Sequence, residues 1–350
     1  MSLTSQERSR IKNEIIQAIG LSEDGPGFWP SEFAQTHKLS IQTIYRYLRQ
    51  LEDDGFISRR RAGRDNEYGL VGRANTFEFK LSEIREDSVW QHSIHPLVKH
   101  LPETAYRNCN YAFTEMLNNA IDHSGGTTVK IEVFINAFRV IIGIQDDGVG
   151  IFSKIADAMK LEEKRFAVLE LAKGKFTTEP DSHSGEGIFF SSKAVDSFSI
   201  HSDNLIFAPV SSDDSIDSVL RERKRVSPQN GTIVAFKIYN DHKQSLKEIF
   251  EKYTAEPDHY GFTKTYVPVK LLEYGEETAL FTSRSQAKRL LARFERFELI
   301  ELDFSGIDEI GQGFADEIFR VFTSMHPEVI LTTSNCNEQV SYMINRAKRF

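Results

Sequence analysis

Phe113 to Gly126, FTEMLNNAIDHSGG, is the stretch on which the reading of this 350-residue chain turns. Taken as a helix, it sets Glu115 and Asn119 one turn apart on one face, because positions i and i+4 are neighbours on a helical surface. A carboxylate and a carboxamide then point the same way. Glu115 can orient or deprotonate a water or hydroxyl, and Asn119 can offer its carbonyl oxygen to a hard cation such as Mg²⁺. The same spacing also describes an ordinary solvated helix face, so the meaning of the pair depends on the residues downstream of it.

Past this helix, Thr127 to Ile135 and Phe138 to Ile144 are β-branched apolar runs separated by Asn136-Ala137, which predicts a hairpin. The second run leads into Asp146-Asp147-Gly148-Val149-Gly150, where glycines allow a sharp turn and leave a carboxylate facing a cavity. A buried carboxylate there needs a donor, and the exocyclic amine of an adenine is one. A long polar connection comes next, Phe152 to His183, with a helical-looking LEEKRFAVLELAKGK inside it. Its length predicts a lid or a disordered segment. It closes on Ser184-Gly185-Glu186-Gly187-Ile188 and a helix from Phe189 to Val195. Small residues at a helix start leave backbone N–H groups and the positive end of the dipole free to hold phosphate. Gly231 to Phe236 reads as a strand entered through Gly-Thr. Upstream, Thr76 to Leu81 alternates as a strand and a helical stretch surrounds Ile94 to Leu101.

The ordered set E-x-x-x-N-A-x-D-H, D-x-G-x-G, lid, S-G-E-G-I, G-T resembles the GHKL superfamily of ATP-binding domains, shared by DNA gyrase and histidine kinases, over residues 85 to 240. That resemblance implies ATP and Mg²⁺ as cofactors. It makes Glu115 the base, Asn119 the Mg²⁺ ligand, Asp146 the adenine reader, and Gly148 and Gly150 the turn beside the base. Ser184, Gly185 and Gly187 would face phosphates, Thr232 would support Asp146 through water, and Asp122 and His123 would line the nucleotide. Phe189 stands where histidine kinases usually have a further glycine. None of the ten histidines is followed by Asp or Glu, as a phosphoacceptor histidine typically is, so autophosphorylation on histidine is not expected.

The N-terminal segment, residues 1 to 75, begins with Arg10 to Gly20, whose Ile11, Ile15, Ile16 and Ile19 form one stripe of a helix. Pro30 to His37 predicts a second helix. Ser40 is a fitting N-cap for a third, with Ile44, Leu48 and Leu51 buried. The pattern L-S-x-x-T-I-x-R-x-L-x-x-L-E-x-x-G-F-I resembles a winged helix-turn-helix. Gln42, Thr43, Arg46 and Arg49 on helix three, and Arg59, Arg60, Arg61 and Arg64 in the hairpin, are side chains able to reach base edges and phosphates of double-stranded DNA. The alternative is a protein-binding or dimerising module.

From residue 262 to 350 strands and helices alternate. A strand is expected over Ala279 to Phe281, a helix over Ser283 to Phe294, and a strand over Leu299 to Phe304. A helix over Gln312 to Phe322, a strand over Val329 to Thr332 and a closing helix over Val340 to Phe350 complete the set. D-F-S-G-I before a helix resembles a STAS-like domain, the fold of anti-sigma-factor antagonists. In that family the helix is entered at a serine that a GHKL kinase phosphorylates; here the stretch is Gly311-Gln312-Gly313, with no hydroxyl.

The whole reads as a multidomain α/β protein: winged helix-turn-helix at 1–75, GHKL α/β sandwich at 76–260, STAS-like α/β domain at 262–350. The net charge of −8 argues against nucleic-acid binding by the molecule as a whole and leaves it to a local basic surface. No window approaches the roughly eighteen apolar residues of a membrane span. The start, MSLTSQERSR, shows no signal-peptide pattern, and the two cysteines, Cys109 and Cys336, suit a reducing cytosol, so a cytoplasmic location is expected. The acidic and basic run from Ser211 to Asn230 reads as a surface insertion. The expected function is an ATP-binding, slowly ATP-hydrolysing DNA-binding transcription regulator, with a homodimer mate or a STAS-like protein as partner. The competing readings are a serine/threonine kinase acting on a STAS-like partner and an ATPase of defence or DNA processing.

Overall fold

The computed structural model describes residues 4–22, 27–62, 65–175, 185–209, 230–254, 261–273 and 281–349. Three helices open the chain: α1 (Ser5–Ser22), α2 (Pro30–Thr36) and α3 (Ile41–Asp53). The isoleucine stripe of α1 is buried against Phe28, Phe33, Ile44, Tyr47, Leu48 and Leu51, so the helical spacing of the apolar residues is what closes this first core. Pro30 occupies the first turn of α2, where its missing N–H costs nothing. Ser40 caps α3, its side chain accepting from the Thr43 amide at 3.2 Å. An antiparallel hairpin comes next, β1 (Ile57–Ala62) and β2 (Asp65–Leu70), with Ile57 paired to Leu70 and Ala62 to Asp65. Arg64 lies outside the described residues.

The next strand, β3 (Arg73–Lys80), already belongs to a six-stranded sheet. It pairs with β4 (Thr128–Ile135), which turns tightly into β5 (Arg139–Asp146). Between β3 and β4 run short helical turns at 86–98 and the 21-residue helix α4 (Glu103–His123). After β5 come α5 (Ile151–Met159), α6 (Phe166–Lys173) and α7 (Gly187–Ala194), then β6 (Ser197–Ser202), β7 (Leu205–Phe207) and β8 (Ile233–Tyr239). The spatial order is β3-β4-β5-β8-β6-β7, and each neighbouring pair is antiparallel. α4 lays Ala105, Cys109, Ala112, Phe113, Met116 and Leu117 over one face of the sheet, against Val140, Ile142, Ile144, Val234 and Phe236. One sheet face buried under a helix is the usual arrangement of an antiparallel layer.

One expectation changes here. The connection 152–183 is not a bare polar loop: α5 and α6 occupy much of it, and Phe166, Ala167, Val168, Leu169 and Leu171 are buried. Helix α6 is buried on every side, and the two charges within it, Glu170 and Lys173, are buried as an ion pair. Residues 176–183 lie outside the described set, as does 211–229 of the expected insertion. Strands β6 and β7 have no counterpart in the sequence reading.

Beyond α8 (Leu246–Lys252) the chain forms a parallel three-stranded sheet ordered β11-β10-β9, from β9 (Lys264–Pro268), β10 (Leu299–Asp303) and β11 (Ile330–Ser334). α9 (Arg284–Leu291) starts with a Ser283/Gln286 capping box. α10 (Gln312–Asp316) continues through a wider π-turn at Glu317–Phe322, and α11 (Glu338–Ala347) closes the domain. Of the strand expected at 279–281, residues 279 and 280 lie outside the described set, and Phe281 makes an isolated bridge to Ile310. β9, unforeseen, takes the edge of the sheet beside β10. No helix among the described residues is long and apolar enough to cross a membrane.

Candidate functional site

Alternation along β5 decides where its last residue points. Val140, Ile142 and Ile144 are buried under α4, and Asp146 has the same parity, so its carboxylate enters the layer between sheet and helix. There the apolar packing gives way to an open cleft of about 1020 Å³. Glu115, Asn119 and His123 line it from α4, Asp146 and Gly150 from the end of β5, Gly185 and Gly187 from the start of α7, and Thr232 from the entrance of β8. Segments more than 100 residues apart thus converge.

Asp146 is 7% exposed. Its Oδ1 accepts from the amides of Gly148 at 2.9 Å and Thr232 at 3.3 Å, while no described residue donates to Oδ2. Burial raises its pKa, and the two amides oppose that rise. Asp147, next along, points away: its carboxylate takes the amides and hydroxyls of Thr127 and Thr128, between 2.7 and 2.9 Å, and is held well below the usual carboxylate range by them. It ties the turn after α4 to the end of β5. Gly148 is required because a Cβ there would collide with the Ser124 carbonyl; Gly150 has φ +84° and would meet Ser202 Oγ at 2.5 Å. Thr232 reaches Asp146 through its backbone, and its hydroxyl accepts from the Ile151 amide at 3.1 Å.

Across the cleft, the Glu115 carboxylate lies against the Cα of Gly187, where a Cβ would collide with Oε2. Burial raises the Tyr111 pKa, and the charges of Glu115 and Glu186 add to it. Asn119 Nδ2 is buried with no hydrogen-bond partner among the described residues. Gly185 adopts φ +71°. Asp122 is exposed and falls outside the arc of α4 that faces the cleft, which carries Glu115, Met116, Asn119, Ala120 and His123. Ser184 lies outside the described residues. One side chain missed by the sequence reading is Lys154, which lines the cleft from α5 and donates to the His123 carbonyl at 2.9 Å. Its place one turn into the helix that Gly150 starts was the available signal. Ile144, Ile151, Ile155, Ile188, Ile200 and Val234 supply apolar walls.

On the N-terminal arm, Gln42, Arg46 and Arg49 are exposed along α3, and Thr43 is half-buried with its hydroxyl 2.8 Å from that of Ser40. Arg59 pairs with Glu52 at 3.5 Å and Arg60 with Glu67 at 2.6 Å, whereas Arg61 is exposed with no ion pair among the described residues. Such exposed pairs are weak and exchange readily for another anion. The arm rests on the β4–β5 turn: Phe138 is buried in its core, a Cβ at Gly20 would strike that ring, and Gln17 donates to Asp241 at 2.8 Å.

A sequence profile described as a STAS-like domain of unknown function (DUF4325) matches residues 286–341, spanning α9, β10, α10, β11 and the start of α11. The C-terminal domain is STAS-like. No curated protein matches the chain. In this STAS-like domain Gly311 is the N-cap of α10, and a Cβ there would stand 2.8 Å from Thr282 Cα, so the close pass of residue 282 accounts for a glycine in the stretch where the resemblance has a serine. Asp303, at the end of β10, is 3% exposed and fully engaged: it accepts from Tyr266, the Ser305 amide and hydroxyl, and Asn335 Nδ2.

Proposed function

We propose that the cleft binds Mg²⁺-ATP as a GHKL domain does, and that the protein is a slowly hydrolysing, ATP-responsive DNA-binding regulator with a winged-helix arm. The observation that carries the reading is the pairing, within one cleft, of a buried Asp146 whose Oδ2 accepts from no described residue with the Glu115 and Asn119 face of α4 and the glycine start of α7. The residues fit the nucleotide. Asp146 Oδ2 would accept the adenine amine, the isoleucines would flank the ring, and the buried Asn119 Nδ2, with no acceptor among the described residues, marks a donor that a ligand oxygen can meet. Bound Mg²⁺-ATP supplies a phosphoryl group activated for transfer to water. Asn119 would offer its carbonyl oxygen to the cation, Lys154 and the backbone amides of Gly185 and Gly187 would face the phosphates, and Glu115 would take the proton of the attacking water.

The arm's exposed Gln42, Arg46, Arg49 and Arg61 support the DNA reading. β5 links the two sites: its first residue follows the Phe138 plug and its last is Asp146, roughly 25 Å along an eight-residue strand. ATP controls the arm only to the extent that it binds two arm positions with different affinity.

Labelled ATP tests this directly. Glu115→Ala should abolish release of free phosphate while nucleotide binding persists; label transferred instead to a STAS-like protein would make the protein a kinase. Arg46→Ala combined with Arg60→Ala should abolish a salt-sensitive gel shift on the protein's own promoter, and an unchanged shift would remove DNA from the account.

A further inference from the structure

The helices that bracket the phosphate-side glycines belong to two cores at once. α7 turns Gly187 and Ile188 to the cleft, while Phe189, Phe190 and Ala194 on its other side are buried in the C-terminal core. Phe189 lies 4.3 Å from Phe262 and meets Tyr253 edge-on at 4.9 Å; Phe262 meets Phe297 at 5.3 Å. Likewise α6 gives Val168 and Leu171 to the sheet core and Leu169 to the C-terminal one. Its end is then clamped by the STAS-like domain. Arg293, held at φ +69°, donates to Glu170 at 3.0 Å, to the Gly174 carbonyl at 2.8 Å and to the Lys175 carbonyl. Lys173, wholly buried, donates to Glu170 at 2.6 Å and to the carbonyls of Arg289 and Ala292 at 3.0 and 3.1 Å. Lys175 donates to the Arg296 carbonyl at 2.8 Å.

We propose that Phe189 and Arg293 are positioning residues for the phosphate end of the cleft, through which the STAS-like domain sets the affinity for ATP. The inference rests on the nucleotide reading of the cleft. Close-packed interiors transmit displacement rather than absorb it. Moving the STAS-like domain drags Phe189, and with it Gly187, away from the Glu115 carboxylate that touches it. It also pulls on Gly174 and Lys175, the last residues described before the Gly185 turn. The large aromatic at 189, where a histidine kinase usually has glycine, is the anchor of that linkage. The adenine end is not linked in this way: Asp146 is fixed by Gly148 and Thr232 within the sheet.

This asymmetry gives the test. Titrate the full chain and its Phe262→Ala variant with Mg²⁺-ATP and, separately, with adenosine. Phe262 touches Phe189 and lines no part of the cleft. The dissociation constant for ATP should rise roughly tenfold, within the ordinary range of couplings between sites, and that for adenosine should stay unchanged. Ile344→Ala, in the same core but on α11, is the control for mere loss of stability and should leave both constants alone. Arg293→Lys, which keeps the charge and loses the forked contact, should reproduce the ATP-specific loss. If ATP and adenosine weaken equally, or neither weakens, the positioning role is wrong while the nucleotide reading stands. If the unmodified chain binds neither ligand, the nucleotide reading itself falls.

Discussion

At its N-terminal junction the sheet domain presents Phe138, backed by Tyr239 and Ala137, to the core of the arm, with a side-chain hydrogen bond from Gln17 to Asp241 beside it. At its C-terminal junction it shares two helices with the STAS-like domain and adds a buried Glu170–Lys173–Arg293 cluster. The first is a plug at the end of the strands away from the cleft. The second lies against the glycine turn of the cleft itself. A small apolar contact can be released at little cost to the rest of the molecule, whereas buried charges released singly are costly. The arm's junction is therefore the weaker of the two, and the STAS-like domain's the stronger.

Breaking the stronger junction should produce the largest effect. Glu170→Ala leaves the buried Lys173 ammonium and Arg293 guanidinium without a carboxylate, and should lower stability by about 3–5 kcal/mol in denaturant melts. Burial already lowers the Lys173 pKa, so part of that loss should be recovered at alkaline pH as the ammonium deprotonates. Phe138→Ala should cost about 3 kcal/mol, confined to the arm: a separate early transition should appear, with nucleotide affinity unchanged. A single cooperative transition in that variant would mean that the two junctions are equally firm.

The smallest effect concerns the passage between them. His242 lies 3.0 Å from both Asp196 Oδ1 and the Gln244 carbonyl, and Asn108, buried in α4, donates to the Ala194 and Gln244 carbonyls. Burial opposes the charged imidazole, but the hydrogen bond and charge of Asp196 prevail and its pKa is raised. A raised pKa means that this contribution is full below the unfolded value of about 6.5 and is lost as pH rises through the higher folded value. His242→Gln should flatten stability across that window and leave it unchanged at alkaline pH. A slope of the same size in the variant would assign the titration to another group.

The sequence made much of the cleft legible because its determinants are local. The i, i+4 spacing of Glu115 and Asn119, the alternation that carries β5 inward to Asp146, and glycines forced by close backbone passage all leave marks within a few residues. Asp122 shared that neighbourhood but not the arc that faces the cleft. What the local pattern could not show was that α6, helical in the sequence reading, is buried rather than part of a polar connection. Its apolar run is bracketed by Glu162, Glu163, Lys164 and Arg165 on one side and Lys173 and Lys175 on the other, which together resemble a polar loop, and the partner that buries Lys173 lies beyond residue 288. β9 was equally opaque, five residues ending at Pro268 whose pairing partner starts at Leu299.

The central claim is that Asp146 reads an adenine at the inner end of the cleft. Calorimetric titration of Mg²⁺-ATP into the full chain and its Asp146→Asn variant tests it most directly. The account predicts saturable binding at one site per chain, weakened at least about tenfold in the variant, because the lost acceptor is buried and one hydrogen bond to a charged group accounts for about 1.5–3 kcal/mol. Equal affinity in the two proteins would contradict it.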